Sequence, residues 1–204
     1  LTTDRHRKNF TKGDRDPRFH QILLAKNNIG YRNLTKLTSL GYLEGLYSKY
    51  PRIDKELILQ YHEGLIATTC CLGAMVPQAI LKKSEAEAET EFKLWLDLFG
   101  EDFYIELQRH NLPEQEKVNA VLLKFAKKYQ VKIICSNDSH YVDQEDSNAH
   151  DILLCVNTGE DQSTPVGDFT TKYYRFLSDD QKVICDTVEN VRQKYGHQSG
   201  VRQM

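Results

Sequence analysis

The chain has 204 residues, Lys+Arg 27 against Asp+Glu 29 and a formal net charge of -2 at pH 7. That length suits one domain with a real core, and the near-neutral balance excludes a global field drawing the protein onto nucleic acid or a membrane, so any such binding is local. The five cysteines are odd in number and lack C-x-x-C spacing, which excludes a disulfide framework and a paired-cysteine zinc finger and suits a reducing cytoplasm.

From Leu1 to Arg18 the sequence is polar and reads as an extended or loop segment, with His6 alone among basic residues. No apolar core marks it as a signal, and no run in the chain approaches the ~20 residues of a membrane helix. Leu1 in place of Met suggests a start inside a longer protein. Phe19 to Ala25 is a short strand candidate beginning near His20, and Asn27-Asn28-Ile29-Gly30 turns it. Leu34, Leu37, Leu40 and Leu43 then recur at helical spacing over about Tyr31 to Leu46. Pro51-Arg52-Ile53-Asp54 ends that helix, and Asp54 caps a short one through Tyr61.

Gly64 to Thr69 is the second strand candidate and runs straight into Cys70-Cys71. Ala74 to Lys83 reads as a helix, and Ser84-x-x-Glu87 is a capping box opening another, with Phe92, Trp95, Leu96 and Phe99 on one face and Gly100 as its stop. Phe103 to Leu107 is the third strand and leads to Gln108-Arg109-His110. Pro113 then starts a helix that buries Val118, Val121, Leu122, Phe125 and Tyr129. Val131 to Cys135 is a β-branched run that turns polar at Ser136-Asn137-Asp138-Ser139-His140. A helix over about Asp143 to Asn157 follows, with Ile152, Leu153 and Val156 inward, then a loop from Glu160 to Tyr174 and a last helix capped at Ser178. Alternating strands and helices predict an α/β fold with parallel strands, in which chemistry collects beyond the strands' C-terminal ends. Cys71, Gln108-Arg109-His110 and the Asp138/His140 pair all sit just past strand candidates.

Asp138 and His140, two apart on an extended chain, project the same way and make half of a divalent-metal site, since oxygen and nitrogen donors suit zinc, manganese or iron. Taken alone, D-x-H is as well explained by loop chemistry, Cys71 by a small buried hydrophobe, His20 by a core histidine with both nitrogens satisfied, and Arg109 and His110 by solvated loop residues. His150 and Asp151 read as a capping or helix-surface pair.

GYRNLTKLTSL, KYPRIDKELI, EGLIATTCCLGAMVP, FGEDFYIELQRHNLPEQEKVN and SNDSHYVDQEDSNAHDILLCVNTG follow one another in a specific order and spacing. On these segments the chain resembles the PHP (polymerase and histidinol phosphatase) domain found at the N-terminus of bacterial replicative DNA polymerase III alpha subunits, continuously from about Arg5 to Gly167. The resemblance implies a PHP-like domain over 1–169, N-terminally incomplete, and a divergent tail over 170–204. It also implies a partial form of a distorted seven-stranded β/α barrel whose strand ends hold up to three divalent ions, zinc, manganese or iron. Carried over residue by residue, His20 matches the histidine of H-x-x-LLAK, Cys71 the cysteine of S-G-C-L with Thr69-Cys70 replacing Ser-Gly, and Asp138 and His140 the last ligand pair. Those two are also the expected catalytic positions. Glu106, Arg109 and His110 match an E-L-Q-R-H signature, where Arg109 and His110 are expected to shape the pocket or meet phosphate.

The family's first motifs, H-x-H, D-H and a glutamate, have no counterpart in Leu1 to Arg18, so the implied cage is incomplete and the metal can be absent from this stretch. Three functions follow as expectations. The first is part of a replicative polymerase alpha subunit, reaching DNA through the parent polymerase, whose PHP module is a metal-dependent phosphoesterase or 3′ to 5′ proofreading exonuclease. The second is a non-catalytic scaffold docking other replisome subunits, and the third, less favoured by ELQRHNLPEQEKVN, a stand-alone PHP phosphatase. All three place it in the cytoplasm with no membrane partner. Histidine and thiolate ligands bind metal unprotonated, so affinity should fall with pH through ~6.5.

Overall fold

The structure is a computed structural model and describes residues 1, 6–9, 18–110, 112–137 and 139–164. The tail 170–204, with the helix expected after Ser178, lies outside the described residues. In chain order the elements are β1 (Leu23–Ala25), α1 (Asn28–Leu43), α2 (Lys55–Tyr61), β2 (Leu65–Thr68), α3 (Met75–Lys82), α4 (Glu85–Phe99), β3 (Phe103–Leu107), α5 (Pro113–Tyr129), β4 (Lys132–Cys135) and α6 (Ser147–Thr158). No helix among the described residues is long and apolar enough to cross a membrane.

One four-stranded sheet, ordered β1-β2-β3-β4, carries the fold. Its two faces follow from strand parity, since successive side chains point to opposite sides. Registers Ala67↔Phe103, Ile105↔Ile133 and Leu107↔Cys135 place one set on a common face. Leu65, Ala67, Phe103, Ile105, Leu107 and Ile133 of that set join the buried core with Phe92, Trp95 and Phe99 of α4 and Val118, Leu122 and Phe125 of α5. Aromatic rings tie these layers together: the Phe92 centroid lies 5.3 Å from Phe103, 5.1 Å from Phe125 and 5.7 Å from Tyr129. The other parity carries Thr68, Tyr104, Glu106 and Ile134.

Local chemistry sets most boundaries. Asn27 accepts from the Gly30 amide to open α1, Asp54 accepts from the Leu57 amide to open α2, and Ser84 with Glu87 forms the expected reciprocal capping box at α4. Gly30 and Gly64 are required by close approach: a Cβ on Gly30 would lie 1.8 Å from the Gly64 carbonyl oxygen, and Gly64 itself has φ +72°.

Four details differ from the pattern-based reading. β1 pairs antiparallel with β2 (Leu23↔Ala67, Leu24↔Ile66, Ala25↔Leu65), while β2-β3 and β3-β4 are parallel as expected. Leu43 is 82% exposed, because α1 ends there and its last turn passes beyond the core. Ile152, Leu153 and Val156, expected inward, are exposed, and Cys155 is the buried residue of α6. His6 is not alone, and its neighbour Arg7 is buried in a polar network. The Arg7 amide donates to Asp54 Oδ2 at 2.8 Å, its Nε to Glu44 Oε2 at 2.7 Å and its Nη1 to Asp54 Oδ2 at 3.1 Å. Arg52, also buried, donates to the Arg7 carbonyl at 2.6 Å and the Gly45 carbonyl at 2.9 Å.

Candidate metal centre

The antiparallel turn of β1 decides where His20 lies. In a parallel β1, a residue before the strand would sit at the opposite end of the sheet from Cys71. Because β1 runs against β2, the chain before Leu23 lies at the end where β2 finishes, and Gln21 Nε2 donates to the Thr68 carbonyl at 2.9 Å. His20 bridges to Ala74, its amide donating to the Gly73 carbonyl at 3.0 Å, and its Nδ1 lies 3.3 Å from Cys71 Sγ. Gly73 makes room for the ring, since a Cβ there would come within 3.0 Å of His20 Nδ1. His20, Cys70, Cys71, Glu106, Gln108, Ser136 and Asn137 line one cavity of about 430 Å³.

Glu106 holds the strand ends that shape this cavity. Its carboxylate is buried and accepts from Thr68 Oγ1 at 2.6 Å, from Gln108 Nε2 at 3.2 Å and from Ser136 Oγ. Its amide donates to Thr69 Oγ1 at 2.9 Å. One residue on β3 therefore holds, through its side chain, the end of β2 at Thr68 and the loop after β4 at Ser136 and, through its backbone, Thr69 in the loop that carries Cys71. A signal for it was present: a glutamate in an apolar strand, at the parity opposite to Phe103, Ile105 and Leu107. Thr68 and Ser136, at neighbouring strand ends, gave no comparable sign.

Asp138 lies outside the described residues. His140 follows β4 and is exposed, with its ring centroid 5.7 Å from that of His150, which also meets Tyr141 at 5.2 Å. Burial, with the neighbouring His140 second, lowers the His150 pKa. Arg109 and His110 are not among the residues lining the cavity. Arg109 Nε is 3.2 Å from Glu116 Oε1 on α5. His110 is 3% exposed, its amide donating to Gln115 Oε1 at 2.7 Å and its Nδ1 lying 2.9 Å from Gln115 Nε2, so its contacts are with the first turn of α5.

His6, Asp54 and Glu56 also bring three potential ligand atoms within 4.8 Å of one another. That group already holds a cation: Arg7 Nη1 is 3.2 Å from His6 Nε2, 3.1 Å from Asp54 Oδ2 and 3.8 Å from Glu56 Oε2.

The His20 and Cys71 pair fits a metal. A zinc-type ion with nitrogen at ~2.0 Å and sulfur at ~2.3 Å in tetrahedral geometry puts the two donors about 3.5 Å apart. The observed 3.3 Å is within a few tenths of that. The Cys70 thiol, and after it His20 and the Gly73 amide, hold the Cys71 thiol well below its ordinary range against the opposing effect of burial, which favours the thiolate that a metal takes. Cys70 moves the opposite way, from its contact with Cys71 and from burial.

Parallel strands flanked by helices, with nitrogen and sulfur donors converging at one end of the sheet, define a β/α-barrel type of module with a strand-end site. The family model described as "PHP domain" matches residues 5–110, just over half of the sequence, and the chain belongs to that family, with the mixed sheet and six helices of the described residues forming a partial PHP-like β/α barrel. Among curated relatives, it is 48% identical over 145 residues to the DNA polymerase III subunit alpha of Borreliella burgdorferi, covering 71% of this chain and 13% of that protein. The subunit from Thermus aquaticus is 49% identical over 140 residues, covering 69% and 11%. That from Campylobacter jejuni is 35% identical over 192 residues, covering 86% and 16%. The chain thus spans a small part of the length of the curated relatives it matches.

Proposed function

We propose that this chain is a PHP module of a bacterial, cytoplasmic DNA polymerase III alpha subunit and that it holds divalent metal through His20, Cys71, Asp138 and His140. The observation that carries the reading is the 3.3 Å approach of His20 Nδ1 to Cys71 Sγ, from elements 51 residues apart, at the end of the sheet where the loop after β4 also emerges. Bound ions of this type supply a Lewis acid and an activated water suited to phosphodiester hydrolysis. The chain's own contribution is positional. Glu106 fixes the loops after β2 and β4, and Gly73 admits the imidazole. Arg109 and His110 enter as groups that set the end of β3 against α5, since their contacts are with Glu116 and Gln115. A 3′ to 5′ exonuclease acting on DNA within the replisome is the activity this reading assigns.

A second reading, a non-catalytic docking module for other replisome subunits, is favoured by the exposed apolar row Ile152, Leu153 and Val156 on α6. The two are separated in the full-length subunit by metal analysis and primer degradation with manganese or zinc. His20→Ala and Cys71→Ser are expected to lower bound metal by at least one equivalent and primer degradation more than tenfold, with polymerisation kept. Unchanged metal stoichiometry in both variants would sink the metal reading. Metal lost without any nuclease activity to lose would leave a structural metal and the docking role.

A further inference from the structure

His20 lines two cavities. One is the space it shares with Cys71 and Glu106, and the other, of about 1220 Å³, it lines together with Gly73. The second exceeds the roughly 300–1,000 Å³ of sites that enclose one small ligand, so its size suits an extended chain. Arg18, Tyr50, Lys82 and Lys83 among its lining residues are exposed, which makes it a groove open to solvent.

The groove carries positive charge on two elements. The turn from Tyr47 to Tyr50 is closed by reciprocal backbone bonds of 3.0 and 3.1 Å, and it presents the Tyr50 ring, with the Arg18 guanidinium carbon 3.7 Å from the ring centroid. A guanidinium stacked in this way is pre-organised and keeps its in-plane N–H donors for an anion. Lys82 and Lys83 stand at the end of α3. None of these three cations forms an ion pair with a described residue. The two carboxylates of the lining already have donors: Glu87 accepts from the Ser84 amide and hydroxyl, and Glu91 from Lys55 Nζ at 2.9 Å and Trp95 Nε1 at 3.2 Å.

We infer that this groove is the bed of a single-stranded nucleic acid whose end reaches the centre at His20, with Arg18, Lys82 and Lys83 meeting its phosphates and the Arg18–Tyr50 stack supporting a base. Proteins that hold single strands combine a positive groove tracking the backbone with planar groups on which bases stack, and an arginine plane serves as well as a ring. His20 is the wall common to the groove and the smaller cavity, so a strand lying in the one brings a phosphodiester to the other. The inference rests on the nuclease reading proposed above, and its test runs without metal or turnover so that the two can fail separately.

The probe is a short single-stranded oligomer of 5-bromodeoxyuridine, irradiated with the full-length subunit in the presence of a chelator, and the covalent adducts are mapped by peptide mass spectrometry. Adducts are expected in the peptides that carry Tyr47 and Tyr50. Arg18→Gln/Lys82→Gln/Lys83→Gln should lower their yield at least about fivefold relative to adducts elsewhere in the subunit, because three phosphate contacts are lost, whereas Lys82→Arg/Lys83→Arg, which keeps the charge, should stay within about twofold of the parent. Adducts confined to other parts of the subunit, or a yield at Tyr47 and Tyr50 that the triple variant leaves unchanged, would overturn the groove assignment. The metal reading is judged apart, by the metal content of the parent and of Cys71→Ser. Metal lost in Cys71→Ser with no adducts in the groove would keep the metal centre and remove the strand path, and adducts in the groove of a parent that binds no metal would uphold the groove and overturn the metal reading.

Discussion

Glu106 is the residue on which the geometry of the centre depends most, although it is not among the proposed ligands. A buried carboxylate is tolerated when donors surround it, and here Thr68, Gln108 and Ser136 all donate to it. Glu106→Ala leaves those donors facing a void, and hydrogen bonds to a charged group are worth about 1.5–3 kcal/mol each before relaxation. The expected loss of stability is about 3 kcal/mol in urea denaturation, with a smaller loss for Glu106→Gln, which keeps the volume and one acceptor. Equal effects of the two substitutions would mean that packing, not the carboxylate, is what Glu106 supplies. Arg109 and His110 belong to the same sequence signature, but their side chains reach Glu116 and Gln115, so neighbours in a motif divide between the cavity and the fold.

At the level of elements, α2 is held by its cap and by its short apolar face of Leu57 and Ile58. Asp54 accepts from the Leu57 amide and faces the Arg7 guanidinium. Burial pushes the Asp54 pKa up, but the Arg7 and Leu57 amides together with the guanidinium outweigh it, and the net direction is down. A carboxylate whose folded value lies below its unfolded value of ~3.9 contributes stability above that pH and loses it as pH falls through the folded value. Asp54→Asn keeps a competent cap and removes the charge opposite Arg7, at an expected cost of about 3 kcal/mol at pH 7. The gap in stability between the two proteins should narrow as pH falls below about 4, followed by denaturant titration at each pH. A gap that stays constant down to pH 3 would refute the charge argument. The cap itself was legible, because Asp after Pro51-Arg52-Ile53 and before an apolar pair is a local signal. Arg7 was not, since its partners lie 37 and 47 residues away and a polar N-terminal segment carries no periodicity.

The same distinction governs the sheet. The capping box at Ser84, the Pro113 start of α5 and the helix faces of α4 and α5 are written in spacings of three and four residues and were all readable. Strand direction is not local. β1 has the same apolar character whichever way it runs, and its antiparallel pairing, which brings His20 to Cys71, is set by the turn at Lys26 to Gly30 closing on Gly64, where Lys26 donates to the Gly64 carbonyl at 2.8 Å. The pairing of His20 with Cys71, proposed above as metal ligands, was reachable only through motif resemblance, and the antiparallel β1 is the physical reason that the two side chains meet.

Across the whole molecule, apolar surface is distributed unevenly. Phe92, Phe103 and Ile105 are at most 1% exposed in the layer between the sheet and α4, whereas Val142 is 83% and Val156 74% exposed around α6. Helical spacing could not tell these cases apart, because Ile152, Leu153 and Val156 form an apolar stripe as regular as that of α5. What differs, among the described residues, is the availability of a covering layer: there the sheet ends at β4, and α6 buries Cys155. Stability measured on the 204-residue chain should therefore reside in one half of the structure. Phe92→Ala opens a cavity among three aromatic rings and is expected to cost about 3–5 kcal/mol, while Val156→Lys, at a solvent-facing site, should fall within about 0.5 kcal/mol of the parent. Hydrogen exchange adds an independent check, with amides of α6 exchanging well before those of α5 because few buried apolar contacts oppose their local opening. A Val156→Lys cost near that of Phe92→Ala, or equal protection of α6 and α5, would mean that another part of the molecule covers this helix in solution.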